Sequence, residues 1–179
     1  MKSKFVFTTK KLALIAVMTA TLSAGKFALM ALPNVEVVTV LCALYGYCFG
    51  WMGLIATSLF VLIDTFIFGV GSWVLTYVIY WNIVCLIYWI LKRFEISNIV
   101  LITFIAAVLT TFFGVLSALI DVGLFSGIKG DFFAKFAIYY TRGAVFYITQ
   151  IVTNIVVFPC LFPILSKTFD KLNQKYFEK

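Results

Sequence analysis

The chain consists of apolar stretches long enough to cross a membrane, separated by short interruptions. A membrane-spanning helix needs about 20 predominantly apolar residues. The interruptions contain proline, glycine or charged residues and fall at Pro33-Asn34, Gly50, Gly69–Ser72, Lys92-Arg93 and Ser126–Asp131. Of the residues, 64% are hydrophobic and only 12% are charged, whereas soluble domains are about 25% charged. The sequence therefore predicts an all-α membrane protein, with residues 1–179 forming a single integral membrane domain.

We expect six membrane spans between these interruptions, over residues of about 11–32, 35–49, 51–67, 72–92, 98–122 and 132–166. The second and third spans are short, as is expected of tilted or broken helices. Six spans use nearly all of the 179 residues. The expected architecture is therefore a six-transmembrane-helix bundle without a soluble domain.

Basic residues predict the orientation of this bundle. With an even number of spans, both terminal segments and the connection between the fourth and fifth spans share one side. These segments hold most of the positive charge, at Lys2, Lys4, Lys10, Lys11, Lys92, Arg93, Lys167, Lys171 and Lys175. Because basic loops tend to face the cytoplasm, we expect cytoplasmic N- and C-termini. The same topology explains the net charge of +7, so no nucleic-acid partner is predicted.

Ionisable residues inside or beside the spans gather at the opposite side of this threading, at Lys26, Glu36, Asp64, Asp121 and Arg142. Such groups are costly at membrane depth and indicate a functional site. We therefore expect a polar cavity that is open to the outside and sealed toward the cytoplasm. Asp121 and Arg142 are predicted to gate or line its entrance, beside a mobile loop with Gly127 and Gly130. A static ion pair of little energetic value is the alternative.

A polar line runs along the last span, with Gly143, Tyr147, Gln150 and Asn154 spaced four, three and four residues apart. This spacing puts them on one helix face, and Asn154 falls near the middle of the membrane. An amide at that depth needs a partner in protein, water or ligand. A hydrogen bond between helices would satisfy it, but the whole line favours a ligand-binding wall.

An aromatic stripe on the fourth span suggests the class of ligand. Trp73 lies where an interfacial aromatic anchor is expected, whereas Trp81 and Asn82 lie too deep for that role. An aromatic ring and an amide can stack on and hydrogen-bond a planar heterocycle, although helix packing could explain the tyrosines. The predicted solute-binding residues are Asn34, Glu36, Tyr77, Trp81, Asn82, Asp121, Arg142, Tyr147, Gln150 and Asn154.

Two spans carry stripes of small residues, which allow helices to approach closely in lipid. The first span has Ala13, Ala16, Ala20 and Ala24, and the fifth has Thr103, Ala107, Thr110, Gly114 and Ser117. One stripe is expected to serve the internal fold. The other could dock a second membrane protein.

No sequence motif indicates an enzyme. The chain has no GxxxxGK[ST] phosphate-binding loop, no HExxH and no GxSxG. It has no histidine, and its four cysteines form no CxxC pair, so neither a metal site nor a cofactor is predicted. Uphill transport by such a chain would need a partner or an ion gradient.

Over essentially its full length, the chain resembles the substrate-binding S components of energy-coupling factor (ECF) vitamin transporters. The resemblance rests on Ala16-x-x-x-Ala20, on Leu32-Pro-Asn-Val-Glu36, and on the run from Tyr139-Tyr140 through Gly143 to Asn154. It implies a prokaryotic plasma-membrane protein that binds a vitamin or vitamin precursor at its outer face. It also implies association with a transmembrane coupling subunit and two cytoplasmic ATPases, and solute release by toppling in the bilayer.

The resemblance assigns the docking of the coupling subunit to Ala16 and Ala20, with Ala24 continuing the line. Related members often carry an acidic residue and a histidine in the last helix, where this chain has Phe146-Tyr147 and Thr149-Gln150. The resemblance therefore implies the family but not the vitamin.

Two other functions compete with this one. A small membrane scaffold of the rod-shape morphogenesis type has a similar fold, but a scaffold does not need converging polar side chains. An autonomous ion-coupled carrier usually shows inverted repeats and broken helices, and the sequence shows neither a repeat nor a clear break. The polar lining favours a solute-binding subunit over both.

Overall fold

A computed structural model of the chain describes residues 8–126 and 130–177. These residues form six α-helices and no strand, which confirms the all-α class. The helices are α1 (Thr9–Leu29), α2 (Val38–Phe49), α3 (Trp51–Phe68), α4 (Ser72–Arg93), α5 (Ile99–Ser126) and α6 (Phe132–Tyr176).

Five of the helices, all except α2, are long and apolar enough to cross a membrane. Large apolar side chains also cover the outside of the bundle, among them Phe66, Val100 and Val145. Lipid, unlike water, solvates such a surface without cost. The chain is therefore a transmembrane helical protein.

The short helix α2 is the buried centre of the bundle. It has 12 residues, all of which are buried except Leu41, and it contacts α1, α3, α4 and α6. A 12-residue helix is about 18 Å long, well short of the roughly 30 Å apolar thickness of a bilayer. It is held in place by its neighbours rather than by lipid.

The bundle has two chemically different ends. At one end, α1 finishes and α2 begins, and Lys26 of α1 lies close to Phe68 of α3 and Trp73 of α4. We call this the cavity end. At the other end, which we call the basic end, Lys92 of α4 pairs with Asp170 of α6 at 2.6 Å.

The connection between α1 and α2, residues 30–37, is longer than the sequence predicted. α1 ends at Leu29 and not near Leu32, and Pro33 disfavours helical geometry at Leu32. Asn34 follows with a positive φ of 58°, which asparagine tolerates better than most residues. α2 then begins at Val38 and not near Val35.

The last two helices are also longer than predicted. α5 continues to Ser126, and α6 extends over 45 residues to Tyr176 in spite of Pro159 and Pro163 in its interior. The final turns of α6 are held by packing. Phe169 lies 5.9 Å from the ring of Tyr45 and 5.6 Å from that of Phe49, and Asp170 binds Lys92. Hydropathy alone does not report these contacts.

The two small-residue stripes have different surroundings. On α1, the alanines at 13, 16, 20 and 24 are exposed, and a separate face with Ile15, Met18, Thr19 and Leu22 is buried in the bundle. On α5, Thr110 and Gly114 are buried. The α5 stripe therefore serves the internal fold, and the α1 stripe lies on the outer surface.

Close packing of α2 on α4 depends on Gly46. A Cβ added there would overlap the backbone carbonyl of Cys85 on α4. We expect Gly46→Ala to destabilise the protein by about 1–3 kcal/mol, the usual cost of overpacking. Gly123→Ala in α5 is the matched control, since its Cβ meets no described atom within 4 Å. Replacing a helical glycine there should stabilise the protein by about 0.5–1 kcal/mol.

Thermal unfolding of the two variants in the same detergent measures both effects. Equal melting temperatures for Gly46→Ala and wild type would contradict the described contact between α2 and α4.

Candidate functional site

A cavity of about 320 Å³ opens at the cavity end of the bundle. All six helices and the 30–37 connection contribute to its lining. Its size falls at the lower end of the range for small-molecule sites, which is roughly 300–1,000 Å³. Half of the ten predicted binding residues line it, namely Asn34, Glu36, Tyr77, Trp81 and Gln150.

Aromatic rings form one side of this cavity. Tyr77 and Trp81 lie one turn apart on α4, with ring centroids 5.8 Å apart in an edge-to-face arrangement. Phe113 of α5 lies 6.3 Å from Tyr77 and 6.4 Å from Trp81, and Phe60 of α3 also lines the space. Such a group of rings offers apolar contact and π faces to a flat ligand.

Two polar atoms of the lining have no partner within the described protein. They are the indole Nε1 of Trp81 and the amide Oε1 of Gln150, whose side chains are only 4% and 3% exposed. Leaving a buried donor or acceptor unsatisfied costs about 1–3 kcal/mol. Both residues line the cavity, so their unpaired atoms are candidates for hydrogen bonds to a ligand there.

The carboxylate of Glu36 joins the start of α2 to α6. It accepts hydrogen bonds from the backbone N–H of Thr39 at 2.8 Å and from the Thr39 hydroxyl, which caps α2. It also accepts one from the Asn154 amide at 3.1 Å, and the same amide donates to Thr110 of α5 at 3.1 Å. Asn154 is completely buried and lies outside the cavity lining. In this structure Asn154 holds Glu36 in place.

A buried ion pair lies beside the aromatic side of the cavity. The ammonium group of Lys26 lies 2.5 Å from Asp64 Oδ2, and the Asp64 side chain is fully buried. The ammonium also lies between 4.7 and 6.0 Å from the ring centroids of Phe68, Tyr77, Trp73 and Phe60. Lys26 lines the cavity. The charge pattern of the sequence singled out both residues, but neither was among the predicted binding residues.

Two predicted binding residues take part in helix packing away from the cavity. Asn82 Oδ1 accepts hydrogen bonds from Thr57 at 2.9 Å and Ser58 at 3.0 Å, which joins α4 to α3. Tyr147 lies against Gly114 of α5, where an added Cβ would come within 2.8 Å of its ring. Neither residue contributes to the cavity lining.

Asp121 and Arg142 also lie outside the lining. Asp121 is half-buried and Arg142 is exposed. No ion pair joins Asp121 to Arg142 within residues 8–126 and 130–177, and their role at the entrance stays a prediction. Gly127, part of the predicted mobile loop, lies outside the described residues.

Several residues that shape the site were not predicted from the sequence. They are Phe60, Phe113, Thr39 and Thr110, which line the cavity or hold Glu36 and Asn154. Apolar and β-branched residues are abundant in every span, so nothing distinguishes these from ordinary core positions. Only their place in the folded bundle identifies them.

Comparisons with protein-family models, with characterised proteins and with solved structures give no match for this chain. The geometry of the cavity is therefore the basis on which its function is inferred.

The Lys26–Asp64 pair provides a stability test. Lys26→Met leaves a fully buried carboxylate without its counter-ion. Breaking a fully buried pair from one side typically costs 3–5 kcal/mol, and because the Lys26 side chain is 23% exposed we expect a loss at the lower end of that range. The double variant Lys26→Met/Asp64→Leu removes both charges and should recover most of that loss. Lys92→Met is the matched control, because its pair with Asp170 is 40% and 31% exposed and should contribute about 0–1 kcal/mol.

Melting temperatures of the four proteins in one detergent complete this comparison. A Lys26→Met variant as stable as Lys92→Met would contradict the assignment of Lys26–Asp64 as a buried pair.

Proposed function

We propose that this chain is the membrane-embedded binding subunit of an uptake system for a small, planar, vitamin-like heterocycle, of the ECF S-component type. The proposal rests on one observation. Trp81 and Gln150 present buried polar atoms without a partner in the described protein, beside an aromatic-lined cavity of about 320 Å³.

This arrangement is costly for stability and useful for binding. An apolar residue in place of Gln150, or a hydrogen-bond acceptor within reach of the Trp81 N–H, would make a more stable core. A membrane scaffold gains nothing from that cost, whereas a binding site uses the same atoms to fix the orientation of its ligand. The geometry therefore favours solute binding over a scaffold.

The proposed topology has six membrane crossings, made by the five long helices and by the buried helix α2. Its first residue, Val38, lines the cavity, and Phe49 at its end contacts Phe169 of α6 near the basic end. Because six is an even number of crossings, both termini would lie on the same side of the membrane, at the basic end. The positive-inside rule makes that side cytoplasmic, so the cavity would open to the outside.

The proposed uptake draws its energy from partner proteins. The sequence carries no phosphate-binding loop, so ATP hydrolysis would be supplied by two ATPase subunits through a transmembrane coupling subunit. The exposed alanines at 16, 20 and 24 on α1 form a surface that another helix can approach closely. We assign the docking of the coupling subunit to this face.

We expect the isolated protein to bind its solute without nucleotide. Isothermal titration calorimetry with thiamine, its pyrimidine precursor, riboflavin, biotin, folate, pantothenate, cobalamin and queuosine precursors should find a ligand among them. No binding by any of these to folded protein would contradict the proposal.

Once a ligand is found, Gln150→Leu and Trp81→Phe should each weaken binding by about 1–3 kcal/mol, because each removes a polar contact to the solute. Gln150→Leu should not lower the melting temperature, since no described protein group loses a partner. Asn82→Ala is the control. It should lower the melting temperature, because it removes a contact between α3 and α4, and should leave the affinity for the solute unchanged. Wild-type affinity in both Gln150→Leu and Trp81→Phe would exclude this cavity as the site.

Docking through α1 can be tested separately from binding. Ala16→Trp or Ala20→Trp should leave solute affinity near wild type but abolish concentrative uptake and co-purification of a coupling subunit. Val108→Trp is the control, because Val108 is exposed on α5, away from the alanine face. Uptake by the wild-type chain in cells without ECF ATPases would exclude the proposed energy source.

A further inference from the structure

Glu36 is a charged residue of the cavity lining whose partners are all neutral. Its carboxylate accepts hydrogen bonds from the backbone and hydroxyl of Thr39 and from the amide of Asn154. In the described part of the chain, no basic group forms an ion pair with it. The N-terminus of α2 offsets about half a unit of charge, so a negative charge remains at this side of the cavity.

Lys26 does not neutralise that charge. It is the one basic side chain among the described lining residues, and its ammonium group is already bound to the buried carboxylate of Asp64 at 2.5 Å. The cavity and its immediate surroundings therefore contain two carboxylates and one ammonium group. Their combined charge is negative.

The aromatic rings of the lining suit a cation as well. The face of an aromatic ring is electron-rich and attracts positive charge within about 6 Å of its centre. The ring of Tyr77 already makes such a cation–π contact, since the Lys26 ammonium lies 5.0 Å from its centroid. Trp81 and Phe113 belong to the same group of rings.

We infer that the solute is a positively charged planar nitrogen heterocycle, with Glu36 as its counter-ion and the rings of Tyr77, Trp81 and Phe113 as its stacking surface. The inference rests on the proposed binding function and narrows its ligand class. Trp81 Nε1 and Gln150 Oε1 then bind an uncharged polar edge of the same molecule.

An anionic solute fits the same cavity poorly. It would face Glu36 without compensation. To reach the Lys26 ammonium it would also have to compete with Asp64, whose fully buried carboxylate would lose its counter-ion. The buried ion pair thus biases the site against anions.

Two probes of the same shape test the inference. 1-Methylnicotinamide carries a positively charged ring, and 3-methylbenzamide is its uncharged counterpart with carbon in place of the ring nitrogen. With the purified full chain in lipid nanodiscs, calorimetry should show that the cation binds about tenfold more tightly or better. Tighter or equal binding of 3-methylbenzamide would overturn the inference.

Three variants connect this preference to Glu36. Glu36→Gln should weaken binding of the cationic probe more than that of the neutral probe and so abolish the preference for the cation. Asp131→Asn removes a carboxylate from an exposed position before α6. This control variant should retain the preference for the cationic probe. Thr39→Val removes a neutral partner of Glu36 but no charge, so it should also retain the preference, even where weaker capping of α2 lowers the melting temperature. A preference that survives in folded Glu36→Gln would overturn the role of Glu36.

The ligand identified by the vitamin panel gives an independent outcome that does not require Glu36→Gln to fold. A cationic ligand supports the inference. A neutral or anionic ligand overturns it and leaves the proposed binding function intact, whereas a folded protein that binds no panel member contradicts both.

Discussion

The fold depends on how polar groups are satisfied where water is scarce. Inside a bilayer an unpaired backbone or side-chain polar group costs several kcal/mol, and the start of α2 brings several such groups into the middle of the protein. Glu36 meets this requirement by binding Thr39 at the first turn of α2 and Asn154 on α6. This network fixes the beginning of a helix too short to be positioned by the membrane. The cavity is the space left beyond that beginning, and all six helices contribute to its lining.

The sequence predicted the helices best where their ends are chemically marked. Gly50 separates α2 from α3 with a positive φ of 56°, and Lys92-Arg93 end α4, so these boundaries were correct to within a residue. The predictions were wrong where a long-range contact sets the end. α6 continues past residue 166 because Phe169 packs on α2. The delayed start of α2 depends on the backbone turn at Asn34 and on the contacts of Glu36, which apolar periodicity does not reveal.

The site could be predicted only in part, for a related reason. Polar residues stand out in an apolar helix, so Gln150 and Asn82 looked equally suitable as ligand-binding groups. In the structure Gln150 reaches the cavity, whereas Asn82 is bound to Thr57 of α3. Which of them faces the cavity depends on how each helix is rotated against its neighbours, and that rotation is set by the packing of many side chains. Phe113 shows the converse, because a cavity-lining residue with an ordinary apolar side chain does not stand out in the sequence.

The length of α6 links the two ends of the bundle in a single piece. Its 45 residues span about 68 Å, and they include both Gln150 at the cavity and Asp170 in the ion pair at the basic end. Between these two residues lie Pro159 and Pro163, each of which removes a backbone hydrogen bond and makes bending easier there. The two prolines therefore mark the part of α6 that bends most easily, between the cavity and the ion pair at the basic end. A bend at this section would change the position of Gln150 relative to Asp170 within one continuous helix.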